Sequence, residues 1–293
     1  MLRFGDVVTA MVTPFHANGD VNYAEGVRLA EHLLANGTDT LLICGTTGES
    51  PTMTWEEKIE LMQTVKVAIQ GKAPIIFGMG TNCTRESVSQ ASKAETAGAD
   101  ALLVVVPYYS KPSQEGMYQH FVAIAAATKL PIIIYNIPGR TSVNMDWQTV
   151  VRLAAIPNIV GIKESSGSLE QATMIKKNAP ATFLLYSGDD YMTLPLLSIG
   201  GEGIISVASH IVGKKIKEMI VCFKRGDHTR ATELHLELSE LFKQIFFVSN
   251  PVPIKYAVNK IGFAAGEHRA PIISLNQAEK EFMDGILKSY NII

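Results

Sequence analysis

Eight short apolar runs rich in β-branched residues recur along the chain, separated by helical patterns. This repeat constrains the fold more than any other feature. The runs are Val7–Val12, Thr40–Cys44, Pro74–Phe77, Ala101–Val106, Pro131–Tyr135, Ile159–Lys163, Thr182–Tyr186 and Gly203–Val207. Several are continuously apolar rather than alternating, as expected of parallel strands covered on both faces. Between them, Trp55–Ile69 sets Ile59, Met62, Val65 and Ile69 on one stripe, with Glu56, Glu57, Lys58 and Lys66 elsewhere. Thr54 and Glu57 have the spacing of a capping box that opens this helix. Arg85–Ala97, Glu115–Thr128 and Trp147–Ala155 read in the same way, and Gly37 and Gly98 stand where helix C-caps belong. Eight βα units of roughly 30 residues each predict an α/β fold, a closed (β/α)8 TIM barrel. A doubly wound sheet would carry a glycine-rich phosphate loop after its first strand, and none is present.

The barrel is expected over residues 1–224. Beyond Lys224 the strand pattern stops. Asp227–Val248, Ile254–Ile261 and Asn276–Lys288 are helical, with Pro251 and Pro253 as punctuation, so residues 225–293 read as a C-terminal helical region. With 47% hydrophobic and 18% charged residues in 293, the chain can bury a large core. A net charge of -2 without a basic block argues against nucleic acid or an anionic membrane as partner. Cys44, Cys83 and Cys222 are odd in number and lack CxxC spacing, which fits a reducing compartment. Met1–Phe15 has no signal pattern, and the longest apolar stretches are too short to span a bilayer. A cytoplasmic enzyme is the expectation.

In such a barrel, chemistry sits at the C-terminal ends of the strands. Lys163 ends an apolar strand, where burial disfavours the ammonium, and a neutral amine is a nucleophile toward carbonyls. That points to a class I, Schiff-base-forming aldolase acting on a small 2-oxo acid. A lysine paired with Glu164, or solvated at the rim, is the competing reading. Tyr135 ends the preceding strand at a matching height and could shuttle protons, or could be a tyrosine bonded to backbone. Thr46 and Thr47, in Gly45-Thr46-Thr47-Gly48-Glu49-Ser50, could bind a carboxylate or relay protons, or could serve turn chemistry. Arg140, after Pro138-Gly139, could hold a carboxylate bidentately or form a structural ion pair. Gly213-Lys214 has Ala208 where a phosphate loop needs glycine, and Gly78-Met79-Gly80 lacks the third glycine of a dinucleotide loop. The seven histidines form neither HxH nor HExxH, so no metal and no cofactor is expected.

Taken together these residues resemble the dihydrodipicolinate synthase family, within the N-acetylneuraminate lyase superfamily. The resemblance runs through Thr9–Phe15, Gly45–Ser50, Pro107-Tyr108-Tyr109, Tyr135–Thr141, Ile162-Lys163-Glu164, Tyr186–Asp190 and Asn250-Pro251-Val252-Pro253. It implies condensation of pyruvate with L-aspartate 4-semialdehyde to 4-hydroxy-tetrahydrodipicolinate, a step toward diaminopimelate and lysine. It implies an imine on Lys163, with Tyr135, Thr46 and Tyr109 as proton relay and Tyr109 supplied by a neighbouring subunit. Arg140 would bind the semialdehyde carboxylate, Thr47 and Ile205 would bound the pyruvate end, and Gly188 would lie near the second substrate. It also implies a homotetramer, a dimer of dimers.

Gly139-Arg140 looks like the synthase pattern, and a pyruvate-dependent sugar-acid lyase is the nearest rival. A catalytically silent barrel and a metal-dependent aldolase are the remaining readings. Some relatives are inhibited by lysine in a region resembling Ser50, Pro51, Asn82, Glu86 and Tyr108. Here Trp55 and Lys58 stand where the lysine-sensitive pattern has histidines, so weak feedback is expected.

Overall fold

The computed structural model describes residues 4–293. Met1, Leu2 and Arg3, which begin both the stretch read for a targeting signal and the 1–224 barrel region, lie outside the described residues. The strands are β1 (Val7–Ala10), β2 (Thr40–Ile43), β3 (Ile75–Met79), β4 (Ala101–Val105), β5 (Ile132–Asn136), β6 (Ile159–Glu164), β7 (Leu184–Ser187) and β8 (Gly203–Ser206). They are hydrogen-bonded in chain order and close into a barrel, which is the fold class the repeat implied. Every apolar run read from the sequence became a strand, with ends displaced by at most a few residues.

By contacts the chain divides into two compact units. One holds the residues up to Pro74 together with Ser206–Ile293. It contains β1 and β2, paired in parallel with Val8 opposite Thr40 and Ala10 opposite Leu42, and every residue of both strands is buried. Helix α1 (Tyr23–Ala35) is capped by Asn22, whose side chain accepts from the Glu25 N–H. Helix α2 (Trp55–Ile69) carries the expected capping box, with Thr54 and Glu57 each accepting the other's backbone N–H. Gly37 follows α1 in the left-handed region at φ +100°, which a side chain would resist.

The second unit is Ile75–Ile205. Its helices are α3 (Thr84–Thr96), α4 (Gln114–Ala126), the single turn α5 (Pro138–Thr141), α6 (Trp147–Leu153), α7 (Leu169–Asn178) and α8 (Thr193–Ser198). The strand register decides what the unit can do. Tyr135, Lys163 and Tyr186 stand opposite one another across β5, β6 and β7, and the next row is Asn136, Glu164 and Ser187. Neighbours along a strand face opposite sides. Lys163 and Glu164 therefore cannot share an environment.

The first unit is completed by α9 (Ser209–Lys224), α10 (His228–Gln244), α11 (Val252–Lys260) and α12 (Gln277–Ser289). Leu234, Leu238, Leu241 and Phe242 of α10, and Met283, Ile286 and Leu287 of α12, are buried at helical spacing. Among the described residues no helix is long and apolar enough to cross a membrane.

Candidate active site

Lys163 is 5% exposed. Its Nζ lies 4.3 Å from the centroid of the Tyr135 ring, which is itself buried. No hydrogen bond or ion pair with a described residue holds the amine. Buried lysines are ordinarily paired with an acid, because an isolated charge in an apolar setting is costly. This one faces a π-cloud alone. The Tyr135 hydroxyl likewise has no hydrogen-bond partner among the described residues.

The paired-lysine alternative fails because Glu164 is occupied on the other face. Its carboxylate accepts from Asn136 Nδ2 at 3.3 and 3.1 Å, from Gln171 Nε2 at 2.9 Å and from the Ser166 N–H at 2.6 Å. Asn136 Nδ2 also donates to Asn144 Oδ1 at 2.8 Å, and Asn136 Oδ1 accepts from the Met145 N–H at 3.0 Å. Six hydrogen bonds around one buried amide and one acid tie the ends of β5 and β6 to α7 and to the segment after α5. A satisfied buried network of this kind makes its surroundings rigid.

Gly188 follows β7 and donates its N–H to Glu164 O at 2.9 Å. A Cβ placed there would lie 2.8 Å from Lys163 Cε and 2.9 Å from Cγ, and would overlap Ser165 Oγ. The lysine stem thus runs through space that only glycine leaves open. Ile205 is buried in β8. Arg140 is exposed on α5. Tyr109 is 87% exposed with φ +69°, an uncommon conformation for an aromatic residue, and its N–H donates to Thr141 O at 3.4 Å, next to Arg140.

In the other unit, Thr46 is half-buried and Thr47 buried within the loop after β2. Thr47 Oγ1 accepts from Asn250 Nδ2 at 3.0 Å, and Thr13 Oγ1 donates to Gly48 O at 2.7 Å. The loop then turns at Glu49, φ +54°, whose fully buried carboxylate accepts from Lys255 Nζ at 2.8 Å and from the Arg269 N–H at 3.1 Å, with His268 Nδ1 3.1 Å away. Lys255 Nζ also donates to Glu267 O at 2.9 Å and lies 4.1 Å from the Phe15 ring centroid. Burial opposes the charge on Glu49, but the His268 hydrogen bond and the Lys255 charge outweigh it and hold the carboxyl below its ordinary value. Burial pulls the Lys255 ammonium down. With two acceptors and an aromatic face around Nζ, we read the pair as ionised.

The second unit therefore brings together Lys163, Tyr135 and Gly188, and sets Tyr109 beside the Arg140 turn. Thr46 and Thr47 share a braced loop of their own. Asn136, Gln171, Lys255 and Ser165 were not singled out from the sequence, and Glu164 entered there only as a possible partner of Lys163. For Ser165 a signal existed, since the two-residue strand period puts it on the face of Lys163. For Lys255 none did, because Glu49 lies 206 positions away, and for Gln171 none did, because the turn that brings it back onto Glu164 leaves no mark in the residue pattern. Among the described residues no group of three or more His, Cys, Asp or Glu side chains could hold a metal ion.

The model of the dihydrodipicolinate synthetase family matches residues 3–290. The 4-hydroxy-tetrahydrodipicolinate synthase of Thermosynechococcus vestitus is 51% identical over 294 residues, covering 100% of this chain and 99% of that one. The enzyme of the same name from Moorella thermoacetica is 51% identical over 292 residues, covering 100% of both. Among solved structures, a dihydrodipicolinate synthase from Bacillus anthracis superimposes with TM-score 0.96 at 43% identity, covering 99% of each chain. The Cyanidioschyzon merolae enzyme, solved with lysine bound, gives 0.97 at 43% identity and the same coverage.

Proposed function

The chain belongs to the dihydrodipicolinate synthetase family, and from that premise we propose that it condenses pyruvate with L-aspartate 4-semialdehyde to 4-hydroxy-tetrahydrodipicolinate through an imine on Lys163. It is a lyase of lysine and diaminopimelate biosynthesis. The observation that carries the chemical reading is a buried lysine amine with no acid partner among the described residues, seated on the face of a tyrosine.

Nζ adds to C2 of pyruvate, and loss of water gives the imine. The protonated imine nitrogen is an electron sink, so a methyl proton can pass to the relay and leave an enamine. The enamine carbon attacks the aldehyde carbon. The carbonyl electron pair moves to oxygen, which takes back a proton from the relay. The substrate's own amine then attacks C2, forming the ring as the C2–Nζ bond breaks and Lys163 is freed. Tyr135, Thr46 and Tyr109 are the relay in this reading. Arg140 takes the semialdehyde carboxylate, Thr47 and Ile205 bound the pyruvate end, and Gly188 lies toward the second substrate. No cofactor takes part.

The exposure of Tyr109 supports a role for it in trans, as Tyr109 of the partner subunit, within a homotetramer built as a dimer of dimers. The cytoplasm is its compartment in this reading. Borohydride reduction in the presence of pyruvate, followed by peptide mass mapping, should give one adduct, on Lys163. Lys163→Ala should lose both adduct and turnover. Mixing Lys163→Ala with Tyr109→Phe should recover part of the activity if Tyr109 acts in trans. Turnover of N-acetylneuraminate or 2-keto-3-deoxygluconate, in place of the semialdehyde reaction, would overturn the assignment.

A further inference from the structure

Ser165 follows β6 directly, and the steps above leave its hydroxyl unused. Oγ is buried and has no hydrogen-bond partner among the described residues. Its backbone N–H donates to Asn136 O at 2.9 Å, which fixes the residue against the end of β5. Buried polar atoms without partners are rare, because each retains the desolvation cost of a bond not made. His120 Nε2 shares this condition, but its ring is held in α4 by Thr84 and packs on Phe121.

The position of Ser165 distinguishes it. The strand period sets residues 163 and 165 on one face. The two side chains converge beside Gly188, where an added Cβ would overlap Ser165 Oγ and lie 2.8 Å from Lys163 Cε. The hydroxyl therefore flanks the lysine stem. It stands two residues nearer the C-terminal end of the strand, the end at which barrel enzymes admit substrate. A molecule held on Nζ keeps its own atoms at the lysine, and Ser165 stands on the side from which barrel enzymes admit a second reactant.

We propose that the Ser165 hydroxyl donates a hydrogen bond to the aldehyde oxygen of the second substrate, making it a specificity-determining residue of the condensation half-reaction. The inference rests on the reading that Lys163 carries the pyruvate enamine. As the enamine carbon bonds to the aldehyde carbon, the carbonyl electron pair becomes an alkoxide pair on that oxygen. The Ser165 O–H stabilises it without giving up its proton, which the relay supplies. Hydrogen bonds that strengthen as charge develops are the ones that lower a barrel's reaction barrier.

The test is steady-state kinetics of Ser165→Ala. A covalent first intermediate gives ping-pong behaviour, so the two half-reactions separate. kcat/KM for the semialdehyde should fall about ten- to a hundred-fold. kcat/KM for pyruvate and the yield of the borohydride adduct should stay within about two-fold of the parent enzyme. The thermal midpoint should not fall, since the hydroxyl has no protein partner to lose. An unchanged kcat/KM for the semialdehyde would show a hydroxyl satisfied by water alone and overturn the proposal. So would an equal fall for both substrates, which would mean that Ser165 merely positions Lys163. Failure of the parent enzyme to form any adduct would strike the imine reading itself.

Discussion

Gly188→Ala tests the packing of the nucleophile directly. The new methyl carbon would stand 2.8 Å from Lys163 Cε and 2.9 Å from Cγ. Carbon atoms pack best at roughly 3.5–4.0 Å, so the lysine stem must retreat by about 1 Å. The neighbouring backbone cannot yield easily, because Gly188 N–H is bonded to Glu164 O and Glu164 is anchored by the Asn136 and Gln171 amides. Overpacking of this kind costs about 1–3 kcal/mol of stability. A 1 Å misplacement of a reacting group can cost on the order of a hundred-fold in rate. The assay is the time course of borohydride trapping with pyruvate, read by intact mass, beside a thermal melt. We expect trapping to slow about a hundred-fold while the protein remains folded with a midpoint lowered by several degrees. Gly285→Ala is the matched control, because nothing lies within 4 Å of its Cβ position inside α12. Wild-type trapping kinetics in Gly188→Ala would refute the claim that this glycine makes room for the lysine.

Three further outcomes follow from the same geometry. Lys255→Met leaves Glu49 buried without its counter-charge and should destabilise the fold by about 3–5 kcal/mol, measurable by chemical denaturation. The folded Glu49 carboxyl lies below its ordinary 4.5, so its stabilising contribution is fully present above that value and is lost as pH falls through the folded one. The stability difference between the parent and Glu49→Gln should accordingly shrink on acidification below 4.5, and a constant difference would contradict the assignment. Millimolar L-lysine should leave the condensation rate nearly unchanged, because a cation at Lys58 disfavours a second ammonium by about 1 kcal/mol or more. Strong inhibition would refute that expectation.

The barrel was legible because its signals are local. Continuous apolar runs at even spacing fix eight strands, and Thr54 with Glu57 fixes the start of α2 in the sequence and in the structure alike. Lys163 and Tyr135 were legible because strand ends are where barrels place chemistry. What escaped the sequence is what depends on partners met only in the fold. Lys255 reads as one more surface lysine in an amphipathic helix until Glu49, 206 positions earlier, is folded against it. Gln171 has its partner only seven positions earlier, yet nothing in the residue pattern shows that the turn after β6 will lay it on the Glu164 carboxylate. Ser165 escaped for a different reason, because an unsatisfied hydroxyl is a property of packing and not of composition.

The adjacency of Lys163 and Glu164 has an evolutionary consequence. Two consecutive residues on one strand serve opposite sides of the sheet, one offering an amine and the other tying down helices. A slip of β6 by one position would preserve the barrel's backbone ladder while turning every side chain to the opposite face: shifted one way the acid would meet the tyrosine, and shifted the other way the amine would meet the amides. Single-residue insertions or deletions within β6 should therefore be purged far more stringently than substitutions there, even those that leave the chain able to fold.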